Sequence, residues 1–118
     1  MGDYAHVTAY GAVKVGREKQ AMGVWADAID FYEKAQANGL IDSYDIQIFQ
    51  PSGGALPTGM ICLWGNEDQI DALARNEDRV ALQLRAGLVV DDLVESRAMR
   101  GAAVLEGVGR FQKAIDSL

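Results

Sequence analysis

The chain carries few side chains that could perform acid, base or nucleophilic chemistry near neutral pH. His6 is its only histidine and Cys62 its only cysteine. His6 shares one face of an alternating stretch with Thr8 and Tyr10, so it could act on a ligand bound against that face. A single histidine without a positioned partner is not a mechanism, which favours a strand-end histidine in solvent or at the dimer edge. Together with Arg97, His6 and Tyr10 are the candidate catalytic residues.

Cys62 lies in the middle of an entirely apolar run, residues 60–64. A reactive thiol needs a positive and partly open environment, so this run predicts a buried and inert cysteine. One histidine and one cysteine cannot form a His/Cys zinc site within one chain. The acidic pairs at 67–68 and 91–92 favour solvated charge over a cation site, because neighbouring side chains diverge. We therefore expect no metal and no cofactor.

The double glycine in residues 51–57, PSGGALP, raises the question of a phosphate-binding loop. Such a loop leads from a strand into a helix, whose first amides hold the anion. This segment leads instead into the apolar run 60–64, which has the length and composition of a strand. Gly53 and Gly54 are therefore predicted to form a turn, because glycine accepts positive φ angles.

At 118 residues the chain is predicted to be one domain, 1–118, large enough to bury a single core. Its net charge of −6 at pH 7 disfavours nucleic acids and anionic membrane surfaces, which bind basic proteins. The N-terminus lacks the basic and apolar segments of a signal peptide, and no apolar run approaches the length of a membrane span. We therefore expect a cytoplasmic protein.

Apolar periodicity predicts the element order β-α-β-β-α-β followed by a final helix. That order is typical of a ferredoxin-like α+β domain, in which two helices cover one face of a four-stranded antiparallel sheet. The predicted strands are 5–15, 42–50, 58–64 and 89–99, and the predicted helices are 17–39, 66–84 with an interruption at 75–78, and 102–118.

The sheet face without helices should be polar in a monomer, yet the strand at 58–64 is apolar on both faces. An exposed patch of that size is larger than soluble monomers usually tolerate. The simplest cover is the same face of a second copy, so we predict a two-fold homodimer through the sheet. The last helix could cover the remainder, in its own chain or on the partner. The residues predicted on this dimer face are Phe49, Met60, Trp64, Leu93 and Met99.

Aromatic residues also suggest an apolar ligand pocket between the first helix and the sheet. Aromatic side chains at helical spacing are more often part of a core, and this remains the alternative. Arg97 is either a ligand clamp, a buried partner of Glu95 or a solvated charge on the fourth strand. The residues predicted to line the pocket are Trp25, Tyr32, Trp64 and Cys62.

In its element order and its doubly apolar sheet, the chain resembles the dimeric α+β-barrel superfamily. That group includes antibiotic-biosynthesis-type monooxygenases, stress-responsive A/B-barrel proteins and muconolactone isomerases. The resemblance to small bacterial proteins of this group also involves Gly16-Arg17-Glu18, Gly39, Gly53-Gly54, Gly59 and Gly65. It implies a homodimer whose two sheets form a barrel-like core, and it implies no particular reaction.

Three functions remain open at this point. The first is a homodimeric protein that binds an apolar small molecule between helix one and the sheet. The second is a cofactor-independent monooxygenase or isomerase for an aromatic or polyketide-like substrate, because the resemblance places substrates of the monooxygenases in that region without metal or flavin. The third is a protein-interaction module that uses the C-terminal helix.

Overall fold

The computed structural model describes residues 2–50 and 56–118, and its architecture is the ferredoxin-like α+β fold that the sequence predicts. Its four strands form one antiparallel sheet in the order β2-β3-β1-β4. The predicted turn at Gly53 and Gly54 lies outside the described residues. The elements are β1 (Tyr4–Tyr10), α1 (Glu18–Ala37), β2 (Ser43–Ile48), β3 (Gly59–Gly65), α2 (Glu67–Arg75), α3 (Glu77–Gly87), β4 (Val94–Met99) and α4 (Ala102–Asp116).

The first and the fourth predicted strands are shorter than expected. β1 ends at Tyr10, and β4 begins only at Val94 because Asp92 adopts a positive φ of 54°. Between these ends the two segments stay in contact through a single antiparallel bridge from Val13 to Val90. The alternating sequence pattern extends beyond the regular strands into backbone that is paired but irregular. Sequence alternation does not distinguish such backbone from a regular strand, so the predicted strands were too long.

Helix α1 covers one half of the sheet with a face of small and aromatic residues. Ala28, Tyr32 and Ala35 are buried there and pack with Ile61 and Leu63 of β3. The helix is followed by Gly39, whose φ of 77° is the left-handed conformation that commonly follows a helix C-terminus. This packing assigns Ile61 and Leu63 to the helix-facing side of the sheet.

The second helical region is interrupted as predicted, and Asn76 is the residue at which it divides. A capping box of Asn66 and Gln69 starts α2. Asn76 then ends α2 and caps α3, because its side chain accepts a hydrogen bond of 3.0 Å from the backbone amide of Arg79. The new helix start places Arg79 on the buried side of α3.

The outer sheet face, away from the helices, is less apolar than predicted at one edge. Met60, Cys62 and Trp64 alternate with the helix-facing residues of β3 and lie on this outer face. Leu93 lines a cavity on the helix side, and Met99 pairs across strands with Tyr4 on the helix-facing side. The predicted dimer face is therefore wrong for these two residues. Phe49, which is half-buried just after β2, stays a prediction together with Met60 and Trp64.

The final helix forms as predicted, and its large apolar side chains are mostly uncovered. None of the strands and helices that the structure describes packs along the length of α4. Its five large apolar side chains are between 40% and 75% exposed. These five residues, Val104, Leu105, Val108, Phe111 and Ile115, are called the α4 seam below.

Within the described residues, no helix combines the length and apolar character needed to cross a membrane.

Candidate functional site

A cavity of about 280 Å³ lies between α1, α3 and the helix-facing side of the sheet. Tyr10 and Trp25 form one aromatic wall, with their ring centroids 6.1 Å apart in an edge-to-face arrangement. Most of the remaining wall is aliphatic, which suits an apolar molecule near the lower end of the usual size range for ligand sites. The lining residues that carry the argument are Thr8, Tyr10, Trp25, Tyr32, Gln83 and Leu93.

Two of the four predicted pocket residues line this cavity. Trp25 and Tyr32 do so from α1. Trp64 and Cys62 were wrongly placed in the pocket, because the alternation of β3 directs both to the outer sheet face. There the indole Nε1 of Trp64 donates a hydrogen bond of 2.7 Å to Asp45 Oδ1. The cavity is thus formed by one side of the sheet only.

The outer position of Trp64 also brings it under a cation. The guanidinium carbon of Arg100 lies 3.8 Å from the centroid of the Trp64 ring, within the range of a cation–π interaction. Cys62 is buried beside it, as its apolar neighbours predict, and burial raises the pKa of its thiol. A thiol with a raised pKa stays protonated near neutral pH and is a poor nucleophile.

Gln83 supplies an unsatisfied polar group at the cavity wall. Its side-chain Nε2 is buried, and no acceptor among the described residues reaches it. Buried amide groups are nearly always hydrogen-bonded, so this donor at the cavity wall is available to an acceptor atom inside the cavity. The neighbouring hydroxyl-bearing residues Thr8 and Tyr10 give the same cavity further hydrogen-bonding capacity.

His6, the only histidine, belongs to a buried polar cluster rather than to the cavity lining. Its Nε2 lies 2.9 Å from Glu95 Oε1 and 3.2 Å from Arg79 Nη1. Arg79 Nη1 also donates a hydrogen bond of 2.6 Å to the same carboxylate oxygen. The other guanidinium nitrogens donate to carbonyl oxygens at the end of α2, Leu73 O at 2.9 Å and Ala74 O at 3.2 Å. Arg79 therefore connects α2, α3, β1 and β4.

The electrostatics of this cluster keep His6 neutral. Burial and the guanidinium of Arg79 lower the pKa of His6 below its usual value of 6.5, and the opposing effect of Glu95 is smaller. A neutral imidazole with Nε2 donating to Glu95 has Nδ1 as an acceptor, and this atom is buried without a partner among the described residues. His6 is thus held in place by its neighbours.

The three candidate catalytic residues are not brought together. Tyr10 lines the cavity, and burial raises the pKa of its hydroxyl. Arg97 is directed elsewhere and donates a hydrogen bond of 2.6 Å to Asp71 Oδ1 on α2. His6 lies in the polar cluster described above. Nearby Tyr32, whose pKa burial raises to about 12, is likewise fully protonated near neutral pH.

Arg79 and Gln83 are the site residues that the sequence analysis missed. They are separated by one helical turn on α3 and face the interior from the same side. The sequence signal for them was Asn76, because a helix that restarts at an asparagine cap has a definable inner face. Within residues 2–50 and 56–118, no three histidine, cysteine or carboxylate side chains are close enough to hold a metal ion.

Comparison with known proteins supports the fold and nothing finer. No protein-family model matches the chain, and no curated protein does. A dimeric protein of unknown function with a ferredoxin-like fold from Bacteroides fragilis superimposes with a TM-score of 0.59 at 12% identity, over 85% of this chain and 98% of the other. A dimeric ferredoxin-like protein of unknown function from Jannaschia gives 0.63 at 10% identity, over 84% and 100%.

A third solved structure agrees with these two. It is a dimeric ferredoxin-like protein of unknown function from Thermobifida fusca, with a TM-score of 0.57 at 13% identity over 84% of this chain and 92% of that one. At such identities the similarity shows the fold alone. The class of protein defined by fold and site is a ferredoxin-like α+β domain with an apolar cavity between its helices and its sheet.

Proposed function

We propose that the protein is a homodimer that binds a neutral, largely apolar small molecule in the cavity between α1, α3 and the sheet. The observation that carries this proposal is the wall of the cavity. It combines a broad apolar surface with the unpaired Nε2 of Gln83, and this is the composition of small-molecule sites in general.

A neutral ligand is favoured by the charges around the cavity. The lining side chains are apolar, hydroxyl or amide groups. The charged neighbours Arg79 and Glu95 already pair with each other at 2.6 Å, so neither is left to compensate a charged ligand. A buried unpaired charge would cost several kcal/mol, whereas a single polar atom can be met by the Gln83 amide.

The homodimer is supported by the outer sheet face and by the similar solved structures. Met60 and Trp64 lie on a face that no helix covers, and three structures with the same fold are described as dimeric. Joining two such faces removes apolar surface from water without any new partner.

Binding is better supported than catalysis. A monooxygenase or isomerase that acts without a cofactor needs a group that transfers a proton near neutral pH. Tyr10 lines the cavity with a raised pKa, while His6 and Arg97 are engaged with Glu95 and Asp71. These observations favour a binding protein, and turnover of a bound ligand is the second outcome that the experiment below can detect.

The proposal is tested by titrating the protein with the neutral probe N-phenyl-1-naphthylamine and following quenching of Trp25 fluorescence in a Trp64→Phe background. Saturable quenching with an increase in probe emission is expected. Ala86→Phe, which fills the cavity from α3, should weaken binding at least tenfold. Leu84→Phe places the same ring on the exposed side of α3, outside the cavity lining, and should leave binding unchanged. Equal binding by both variants, or no binding at all, would overturn the proposal.

A further inference from the structure

Helix α4 is too weak a helix to persist in water by itself. It has 15 residues, which is a marginal length for an isolated helix. Gly107 and Gly109 lie within it, and each glycine costs roughly 1 kcal/mol relative to alanine. Its first turn has no side-chain cap and no acidic residue. The helix must therefore be stabilised by packing.

The rest of the same chain supplies little of that packing. Ala103 is buried at the first turn, and the sulfur of Met99 lies close to Gly107. Beyond these contacts, the α4 seam remains exposed, with Phe111 68% and Val108 60% accessible. A stripe of this kind along one helix is normally the face that packs on a neighbour.

The direction of α4 is fixed by the backbone before it. Gly101 adopts φ 58° and ψ −134°, a conformation that side chains with a Cβ rarely adopt. A Cβ built at Gly101 would also lie 3.1 Å from Asp3 Oδ1. The exposed position of α4 is therefore a built feature of the turn after β4, since a flexible connection would not require this geometry.

The total surface indicates how much cover is missing. The chain exposes 7700 Å², whereas a compact monomer of 12.7 kDa exposes about 6,200 Å². Its radius of gyration is 16.1 Å, against about 13.5 Å for a compact chain of this length. The excess, about 1,500 Å² per chain, is the area that each partner loses in a large, permanent interface.

We infer that the α4 seam docks on the second copy of this chain, so that each α4 adds its apolar face to the dimer interface. This rests on the homodimer of the proposed function for the identity of the occupant. A two-fold interface uses the same surface on both chains, so one symmetric contact buries the α4 seam of each chain. A short peptide would leave much of the 1,500 Å² exposed.

Charge is consistent with a second copy as the occupant. Residues 102–118 carry two acidic and two basic side chains and are therefore neutral overall. All of the net charge of −6 resides in residues 1–101. A neutral helix can approach an acidic copy of the chain without repulsion, and it offers no charge to attract a nucleic acid. The four residues are Glu106, Arg110, Lys113 and Asp116.

The inference is tested on the full chain by measuring the dimer dissociation constant by analytical ultracentrifugation. The double variant Val108→Gln with Phe111→Gln removes the middle of the α4 seam and should raise that constant at least tenfold. Its matched control, Glu106→Gln with Arg110→Gln, places the same side chains on the opposite side of α4 without changing the net charge and should change the dissociation constant less than twofold. Near-ultraviolet circular dichroism checks that each variant keeps its folded core.

Hydrogen exchange of the unmodified protein gives a second readout that needs no variant. Amides of residues 104–115 should be protected in the dimer and lose that protection on dilution below the dissociation constant, while those of β1 keep theirs. If both double variants change the dimer dissociation constant and the α4 protection equally, the docking of α4 on the second copy is wrong, while the homodimer itself still stands. A wild-type monomer at high micromolar concentration would overturn the homodimer itself, and probe binding in the cavity would still test the ligand proposal.

Discussion

Arg79 Nη1 and His6 Nε2 lie 3.2 Å apart because both meet the same oxygen, Glu95 Oε1. The two residues lie on α3 and β1 and are 73 positions apart in the chain. Only one of the two groups carries a charge, since burial and the guanidinium lower the pKa of His6. The carboxylate thus neutralises the arginine and orients the histidine, and the cluster closes the interior beside the cavity.

Replacing Arg79 by methionine should lower the free energy of unfolding by about 3 kcal/mol. The change leaves the carbonyl of Leu73 without its buried donor and removes the guanidinium from Glu95, whose side chain is 40% exposed, and each buried polar group left unpaired costs about 1–3 kcal/mol. Arg97→Met is the matched control, because its pair with Asp71 has the same 2.6 Å distance but is about half exposed. We expect it to cost less than about 1 kcal/mol.

Urea unfolding at one fixed protein concentration measures both variants, since dimer stability depends on concentration. Similar losses for Arg79→Met and Arg97→Met would contradict the view that the Arg79 cluster is a buried connection between elements.

Stability should fall as the pH is lowered through the range of an ordinary histidine. The unfolded chain binds a proton at His6 near 6.5, whereas the folded protein resists protonation because its pKa is lowered. The stability that comes from keeping His6 neutral is fully present above about pH 6.5, and it is lost as the pH falls from there toward the folded-state pKa. The charged groups facing His6 are Arg79 from α3 and Glu95 and Arg97 from β4.

The measurement is the difference in unfolding free energy between pH 7.5 and pH 5.5, for the wild type and for His6→Gln. The wild type should lose more stability than the variant over this interval, because glutamine does not titrate. An identical loss would assign the pH dependence to the carboxylates instead.

The sequence predicted the fold through patterns that are local. The alternation of β1, the apolar run of β3 and the apolar stripe of α1 each lie within the element that they define. Their order was then enough to identify a ferredoxin-like domain. Alternation separates the two faces of a strand, but it does not say which face meets the helices.

That limitation explains the errors at the predicted sites. Leu93 and Met99 were assigned to the outer sheet face, whereas the structure places both on the helix-facing side. Trp64 was expected both in the pocket and on the dimer face, and one strand residue cannot serve both. Arg79 and its contact with β1 are non-local, so no single-sequence pattern signals them.

Gly59→Ala should destabilise the protein by about 1–3 kcal/mol and distort the cavity. Tyr10 lies across Gly59, its cross-strand partner, and a Cβ there would collide with the phenol and approach Gln47 O to 2.8 Å. Gly23→Ala is the matched control within α1, where nothing lies within 4 Å, and it should stabilise the helix by about 1 kcal/mol.

Thermal unfolding distinguishes these two alanines, and the probe titration reports on the cavity. The Gly59 variant should also bind N-phenyl-1-naphthylamine more weakly, because Tyr10 forms part of the wall. A stable Gly59→Ala protein with unchanged binding would show that Tyr10 does not hold the position described.

Gln83→Met should separate the polar contribution of the cavity from its apolar one. Benzophenone and diphenylmethane have the same two rings, but only benzophenone carries a carbonyl oxygen that can accept from Gln83 Nε2. A net hydrogen bond of about 0.5–1.5 kcal/mol corresponds to roughly two- to tenfold in affinity. The variant should therefore weaken benzophenone by this factor and leave diphenylmethane unchanged or slightly tighter, since methionine fills a similar volume without an unpaired donor. Quenching of Trp25 measures both affinities, and equal changes for the two probes would mean that Nε2 does not meet the ligand.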